Sequence, residues 1–363
     1  MRKLHLILFS ILIFTIVFFS ISCTIEEVEI GENAQETWTK VFYSGFNNHK
    51  NKGLRSMCNY DGDFYCATYN DQQGTQVWQL KGSEWKKINE DGFGDVNNWS
   101  GSSMASHSGE LFLGTENREK GAEIWKWSLS KWTQVADDGF GDIKTQAVSS
   151  LVSYNGKLYA GTYNRDAGCK VYEYNGEDWT AIEEGGFGKV ANYEVSNMLV
   201  YNGLLYASIS NESTGAEVWR WNGEKWELIL EDGFDDKNNE SIISMVNQQG
   251  ELHFGTQNYV TGCEIWRWDG TNFDQLNDDG FQDKNNSAVS LVSFSGILYA
   301  GVQNLSDGAE VWKLTGNEWN RDVTTGFGDK DNTGIFAMDV YDGRLYVGLD
   351  NDRDGCELWK RYP

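Results

Sequence analysis

The dipeptide Gly-Phe recurs along this chain of 363 residues, with its Phe at 46, 93, 140, 187, 234, 281 and 327. The first five steps are 47 residues and the last is 46. A second series keeps the same beat: Trp78, Trp125, Tyr172, Trp219, Trp266, Trp312 and Trp359. A period of this length limits the fold more than any local propensity does, because each unit must be one small element that stacks on its neighbours. Seven units are present.

Within a unit, alternation and turn residues mark four short strands. In the fourth unit strand A is "SNMLVY" (196–201) and strand B is "LLYASIS" (204–210), joined by Asn202-Gly203. Strand C is "AEVWRW" (216–221) and strand D is "KWELIL" (225–230), joined by Asn222-Gly223. The loop "EDGFDDKNNE" (231–240) then leads to the next unit. Asn-Gly supplies the positive φ angles that two-residue hairpins need. Every A–B turn has its Gly: Gly62, Gly109, Gly156, Gly203, Gly250, Gly296 and Gly343. One four-stranded meander cannot bury both faces, whereas seven arranged around an axis bury them against each other. The single Pro agrees, since strand residues must donate to their ladders. The seventh unit lacks strand D at the carboxyl end, and "ETWTKVFYSGF" (36–46), with Trp38, is expected to supply it.

From 37 to 363 the chain therefore resembles the seven-bladed β-propellers, an all-β class of four-stranded antiparallel blades. Tyr and Trp at repeated strand positions are similar to those of Kelch-like and related bacterial surface propellers. It departs from Kelch where a Gly-Gly pair is expected, with "LYAGT" (158–162) and "LYASI" (205–209) instead. "GAEVW" (215–219 and 308–312) opens strand C, and its recurrence is read as scaffold.

Arg2 and Lys3 precede the apolar run "LHLILFSILIFTIVFFSIS", which ends at Cys23. Residues 1–23 have the outline of an export signal. The cysteine after Ser22 is similar to the lipidated first residue of a bacterial lipoprotein, and an uncleaved anchor is the alternative. Residues 24–36, "TIEEVEIGENAQE", read as an acidic tether. Both versions place the remainder, expected to be a monomer, outside the cytoplasm. With Lys+Arg 30 against Asp+Glu 54, the net charge of −24 repels phosphate backbones and excludes nucleic acid as a partner.

Cys169, Cys263 and Cys356 share a column with Ala122, Ala216 and Ala309 and read as small buried residues, while Cys58 and Cys66 project to opposite faces of their hairpin. His107 and His253 stand in Tyr columns and read as aromatic replacements. No cofactor is implied. The one ion the loops could hold is Ca²⁺, through Asp91, Asp95 and Asn97 or Asp232, Asp236 and Asn238. Turn-closing hydrogen bonds explain the same residues without a metal and are preferred. Asn70, Asn117, Asn164, Asn211, Asn258, Asn304 and Asn351 open the B–C loops and read as Asx turns.

B–C and D–A loops emerge on one face, so binding belongs there. Trp99, Tyr193 and Tyr259 break the repeat on these loops and are the candidate ligand-binding residues, with inter-blade packing as the alternative. The expected function is a membrane-tethered, extracytoplasmic binding protein that recognises a glycan or a protein through its loop-rich, acidic face. A polysaccharide lyase or hydrolase on the same scaffold, or a non-catalytic part of an envelope complex, are the alternatives.

Overall fold

A computed structural model describes residues 38–363. Cys23, the leader at 1–23 and the tether at 24–36 lie outside the described residues. Alternating apolar positions and paired positive-φ turns produce antiparallel meanders throughout. Blade I runs Gly53–Tyr60, Asp63–Tyr69, Val77–Lys81 and Glu84–Lys87. Its first turn, Asp61-Gly62, has φ of 50° and 79°, the geometry that matches strand twist. Blades II to VI repeat this order. Blade VII takes Gly334–Tyr341, Arg344–Asp350 and Glu357–Arg361 from the carboxyl end. Its outer strand is Trp38–Phe42, with Trp38 opposite Arg361 and Lys40 opposite Trp359.

The A strands are innermost and pack on one another from blade to blade. Two sets of side chains fasten them. Near the loop-bearing end, Ser56 donates to the Gly101 carbonyl at 2.6 Å, Ser103 to Val148 at 2.7 Å and Ser290 to Ile335 at 3.0 Å, each on the next blade. Near the A–B turns, Tyr60 donates to the Gly109 carbonyl at 2.8 Å and Tyr201 to Gly250 at 2.6 Å. Tyr341 of blade VII reaches the Gly62 carbonyl of blade I at 2.9 Å in the same way.

The short step of 46 has a local cause. In blade I the register shifts between Leu54 and Ser56, so Arg55 is an extra residue in the innermost strand. Five other blades carry the same bulge. In blade VI, Val289 and Ser290 pair with Val302 and Gly301 in direct succession. The residue missing from that repeat is the bulge residue.

The Gly-Phe mark is a left-handed turn: Phe93 has φ of 57°, and the equivalent Phe has positive φ in every blade. Such a conformation is costly for a residue with a Cβ. The ring compensates by stacking on the strand-C aromatic and meeting the strand-D aromatic edge-on. Phe93 lies 4.7 Å from Trp125 at 12° and 5.2 Å from Trp132 at 83°. Phe234 repeats this with Trp266 and Phe273, and Phe327 with Trp359 and Trp38. These rings plug the outer crevices between blades. The Gly before each Phe touches the Gly that opens strand C: a Cβ on Gly74 would stand 2.6 Å from the Gly92 Cα. Both glycine columns are therefore required by backbone contact.

Between them runs a buried polar chain. Asn258 donates to the Asn239 Oδ1 at 3.1 Å, and Asn239 donates to the Glu264 Oε2 at 2.7 Å. The same oxygen accepts the Trp266 indole N–H at 2.7 Å. Blades II, IV, VI and VII repeat the chain through Glu123, Glu217, Glu310 and Glu357. The acidic residue of "GAEVW" is thus an interior acceptor that satisfies buried donors.

Candidate functional site

The loops are built by their own Asn and Asp side chains. In blade II the Asn117 Oδ1 accepts the backbone N–H groups of Glu119 and Lys120 at 3.1 and 2.9 Å, and the other six B–C loops do the same. Asp95 accepts the Asn97 backbone at 3.0 Å and its amide at 3.0 Å, with Lys120 at 2.9 Å on the other oxygen. Burial works against its ionisation, but Lys120, Asn97 and Asn117 outweigh it and hold the carboxyl below its ordinary range. Asp236 repeats these bonds with Asn238, at 2.9 and 2.8 Å. Asp91 is held by Lys87 at 2.7 Å and Gln76 at 3.0 Å, and Asp232 is an exposed positive-φ residue. Of the two proposed calcium sets, Asp95, Asn97, Asp236 and Asn238 are engaged as turn formers. Among the described residues, no three His, Cys, Asp or Glu side chains converge as a metal site would need.

The three aromatic candidates share the loop-bearing face but differ in exposure. Trp99 is half-buried, with the Arg118 guanidinium 5.4 Å from its ring centre. Tyr259 is 54% exposed and bonds Gln257. Tyr193 is only 8% exposed. It is covered because Arg165 lies 4.1 Å over its face and Tyr163 meets it edge-on at 5.7 Å.

These contacts lead to residues that belong to no motif of the sequence. Where strand B ends, beside the start of the next blade's innermost strand, the seven blades carry Tyr69, Glu116, Tyr163, Ser210, Gln257, Gln303 and Asp350. Two residues earlier the same strands carry only Ala67, Gly114, Gly161, Ser208, Gly255, Gly301 and Gly348. The repeat is thus kept in the core and abandoned at the axial end of one face. That contrast was visible once the chain was laid out on its period.

Charges in this axial ring are paired, within a blade or across two. Arg55, the bulge residue of blade I, reaches Asp350 of blade VII at 2.5 Å and lies 5.0 Å from the ring centres of both Tyr69 and Phe336. Asp350 beside it keeps the guanidinium charged against the burial of both. Arg118 holds Glu116 at 2.8 Å, and Arg165 holds Glu212 at 2.5 Å. Two acids of the ring, Glu194 and Glu240, have no cation within ion-pair distance among the described residues. Burial pushes the Glu194 carboxyl up, and Glu116 adds to the shift; the Ser149 hydroxyl and Arg165 oppose it. Burial and then Glu212 push Glu240 up, against Arg165.

An open concavity of about 380 Å³ lies at the opposite face, lined by Asn59, Tyr60, Asp61, Ser106, His107, Ser108, Gly109 and Ser153. It forms where His107 stands in the Tyr column: His107 bonds Ser153 at 2.9 Å and Ser108 at 3.1 Å instead of reaching the next A–B turn. Burial lowers the pKa of His107 and of His253, so both rings are neutral packing groups at neutral pH. Among the described residues no carboxylate hydrogen-bonds His107, whereas the repeat-breaking aromatic and charged side chains gather at the other end. The axial ring is therefore the stronger candidate. Cys58, Cys66, Cys169, Cys263 and Cys356 are all free. No helix among the described residues is long and apolar enough to cross a membrane.

No protein-family model matches the chain, and no curated protein matches it in sequence. Solved structures do. A chain of the mitotic checkpoint complex superposes with a TM-score of 0.60 at 13% identity, over 93% of this chain and 99% of that one. The WD40 repeats of RRP9 give 0.56 at 12% identity, over 92% and 99%. The SapL1 lectin in complex with α-methyl fucoside gives 0.51 at 14% identity, over 75% and 95%. At such identities the likeness shows the fold, which is a β-propeller.

Proposed function

We propose that this chain is an exported binding protein, tethered to the membrane through Cys23, that recognises a glycan with the axial ring of its loop-bearing face and performs no chemistry on it. The observation that carries the reading is the confinement of repeat-breaking aromatic and charged side chains to that ring, above a core whose columns hardly vary. Trp99, Tyr69, Tyr163 and Phe336 offer apolar faces for the C–H side of a sugar, while Gln257, Gln303, Glu116 and Arg118 offer acceptors and donors for hydroxyls. One structural neighbour is a lectin solved with a bound fucoside, so the fold is one on which sugar recognition occurs.

A glycan array probed with the chain and with Trp99→Ala and Arg118→Ala tests this. Both variants are expected to lose at least tenfold in affinity for whichever glycan binds, with the melting temperature of the exposed Arg118→Ala variant unchanged. Unaltered binding by both removes the ring from consideration, and release of shortened sugar replaces a binding protein with a hydrolase or lyase. Incorporation of labelled fatty acid, abolished by Cys23→Ser, checks the tether separately.

A further inference from the structure

Two columns change character together in blades V and VI. The residue after the loop-opening Asn is charged in five blades, as Asp71, Arg118, Arg165, Glu212 and Asp352, but is Tyr259 in blade V and Leu305 in blade VI. These two are 54% and 63% exposed. Two residues earlier, at the end of strand B, the same blades carry the only carboxamides of their column, Gln257 and Gln303. On a protein of net charge −24, this sector of the loop-bearing face presents amides beside apolar side chains, where the other loops present ions.

The register places the two amides in one row. Gln257 pairs with Ala288 of the next blade, and Ala288 pairs with Gln303. Registered partners project to the same side of a sheet, so the glutamines flank the buried Ala288, with their backbones two strand spacings or about 10 Å apart. Carboxamides on successive strands hydrogen-bond to one another at a repeat of about 4.7–4.8 Å. The middle rung of this row is missing, because alanine has no amide.

Each glutamine has half of its amide engaged. The Gln257 Nε2 donates to the Tyr259 hydroxyl, and the Gln303 Oε1 accepts the buried Ser287 hydroxyl at 3.1 Å. Among the described residues nothing bonds the Gln257 Oε1 or the Gln303 Nε2. One acceptor and one donor therefore remain, on opposite sides of the missing rung, and together they are the complement of a single amide group.

We propose that this sector binds an N-acetylated sugar, with the acetamido N–H on the Gln257 Oε1, its carbonyl on the Gln303 Nε2, and its methyl and the sugar ring against Tyr259 and Leu305. This rests on the glycan reading above and names the ligand class as N-acetylhexosamines. A hydroxyl in place of the acetamido group is too short to span both glutamines, and a free ammonium offers donors only.

Titration calorimetry of the full chain with a tetramer of β-1,4-linked N-acetylglucosamine, and with the β-1,4-linked glucose tetramer, tests it. Both sugars are uncharged, so the net charge of the protein does not bias the comparison. The acetylated tetramer should bind at least tenfold more tightly. Gln303→Glu exchanges the free donor for an acceptor and should abolish that preference while leaving binding of the glucose tetramer as it was. Leu305→Asp, at an exposed position where other blades carry Asp71 and Asp352, leaves the core intact and should reduce the preference at least threefold. Equal binding of the two tetramers, or a preference unchanged in either variant, overturns the acetamido site and leaves the sugar reading standing. Binding of neither tetramer overturns it as well, and the sugar reading falls with it only if the glycan array is also blank.

Discussion

Glu264 shows how far a residue's neighbours can reverse its apparent meaning. In a strand read by alternation, a glutamate is a solvent-facing residue, and "GCEIW" invites that reading. The structure turns it inward to accept Asn239 and Trp266. Blade III makes the same point by changing the partners together: Thr145, Lys170 and Tyr172 replace Asn, Glu and Trp. A tyrosine there has no indole N–H to satisfy, so the acid is not required. In blade I, Gln76 accepts Asn51 but the Trp78 indole N–H is left without a partner. Glu264→Ala should therefore cost about 2–4 kcal/mol in urea unfolding, since it strands two buried donors, and Glu264→Gln about 1 kcal/mol, as in blade I. Equal costs would mean that the lost volume matters rather than the acceptor.

Asp339 carries the pH dependence at this scale. Burial raises its carboxyl from 3.8 to about 6, and its Oδ2 accepts only Asn59 at 3.1 Å. The folded state thus holds the proton more tightly than the unfolded chain. The stability this contributes is complete below about pH 4 and is lost as pH rises through about 6. Asp339→Asn should stabilise the protein by about 1–2 kcal/mol at pH 7, a gain that disappears near pH 4. Urea midpoints at the two pH values decide it, and a pH-independent effect would assign the change to packing.

At the scale of the element, the Gly-Phe turn is the unit that repeats most faithfully, because two costs are imposed and one contact offsets them. The backbone must enter the left-handed region at both residues, and the glycine must touch the glycine opening strand C. The Phe ring then seals the blade's outer edge. Phe234→Ala should lose about 3–5 kcal/mol, the range for a buried aromatic, with thermal denaturation as readout. Gly215→Ala should be as damaging despite adding one methyl, because its φ is 94° and the new Cβ would meet Asp232 at 2.8 Å. The strands, their turns and the Asx loops were legible beforehand, since each rests on local chemistry. The blade VI deletion was legible only as a step of 46, and its placement at the bulge needed the pairing register.

For the whole molecule, the outer strand Trp38–Phe42 joins the two ends of the chain. Trp38 pairs beside Arg361, donates to Asp322 at 2.8 Å and packs edge-on to Phe327 at 5.2 Å. Without it, strand Glu357–Arg361 becomes an open edge. A chain starting at residue 44 should melt well below one starting at 37 and form higher-order species by size exclusion, whereas Trp38→Ala should lower stability and stay monomeric. Indistinguishable melting of the truncated chain would show that the strand is dispensable.

The sequence alone determined the repeating unit and its four strands, because hydrophobic alternation, turn glycines and aromatic spacing act over a few residues and recur in register. It also pointed to the face that carries the longer loops. The ring of Arg55, Glu116, Arg165, Glu194 and Asp350 was decided by tertiary structure, since its members come from different blades and meet only around the axis. Their partners lie up to 295 positions apart, as with Arg55 and Asp350, and charge pairing at that separation leaves no local pattern to read.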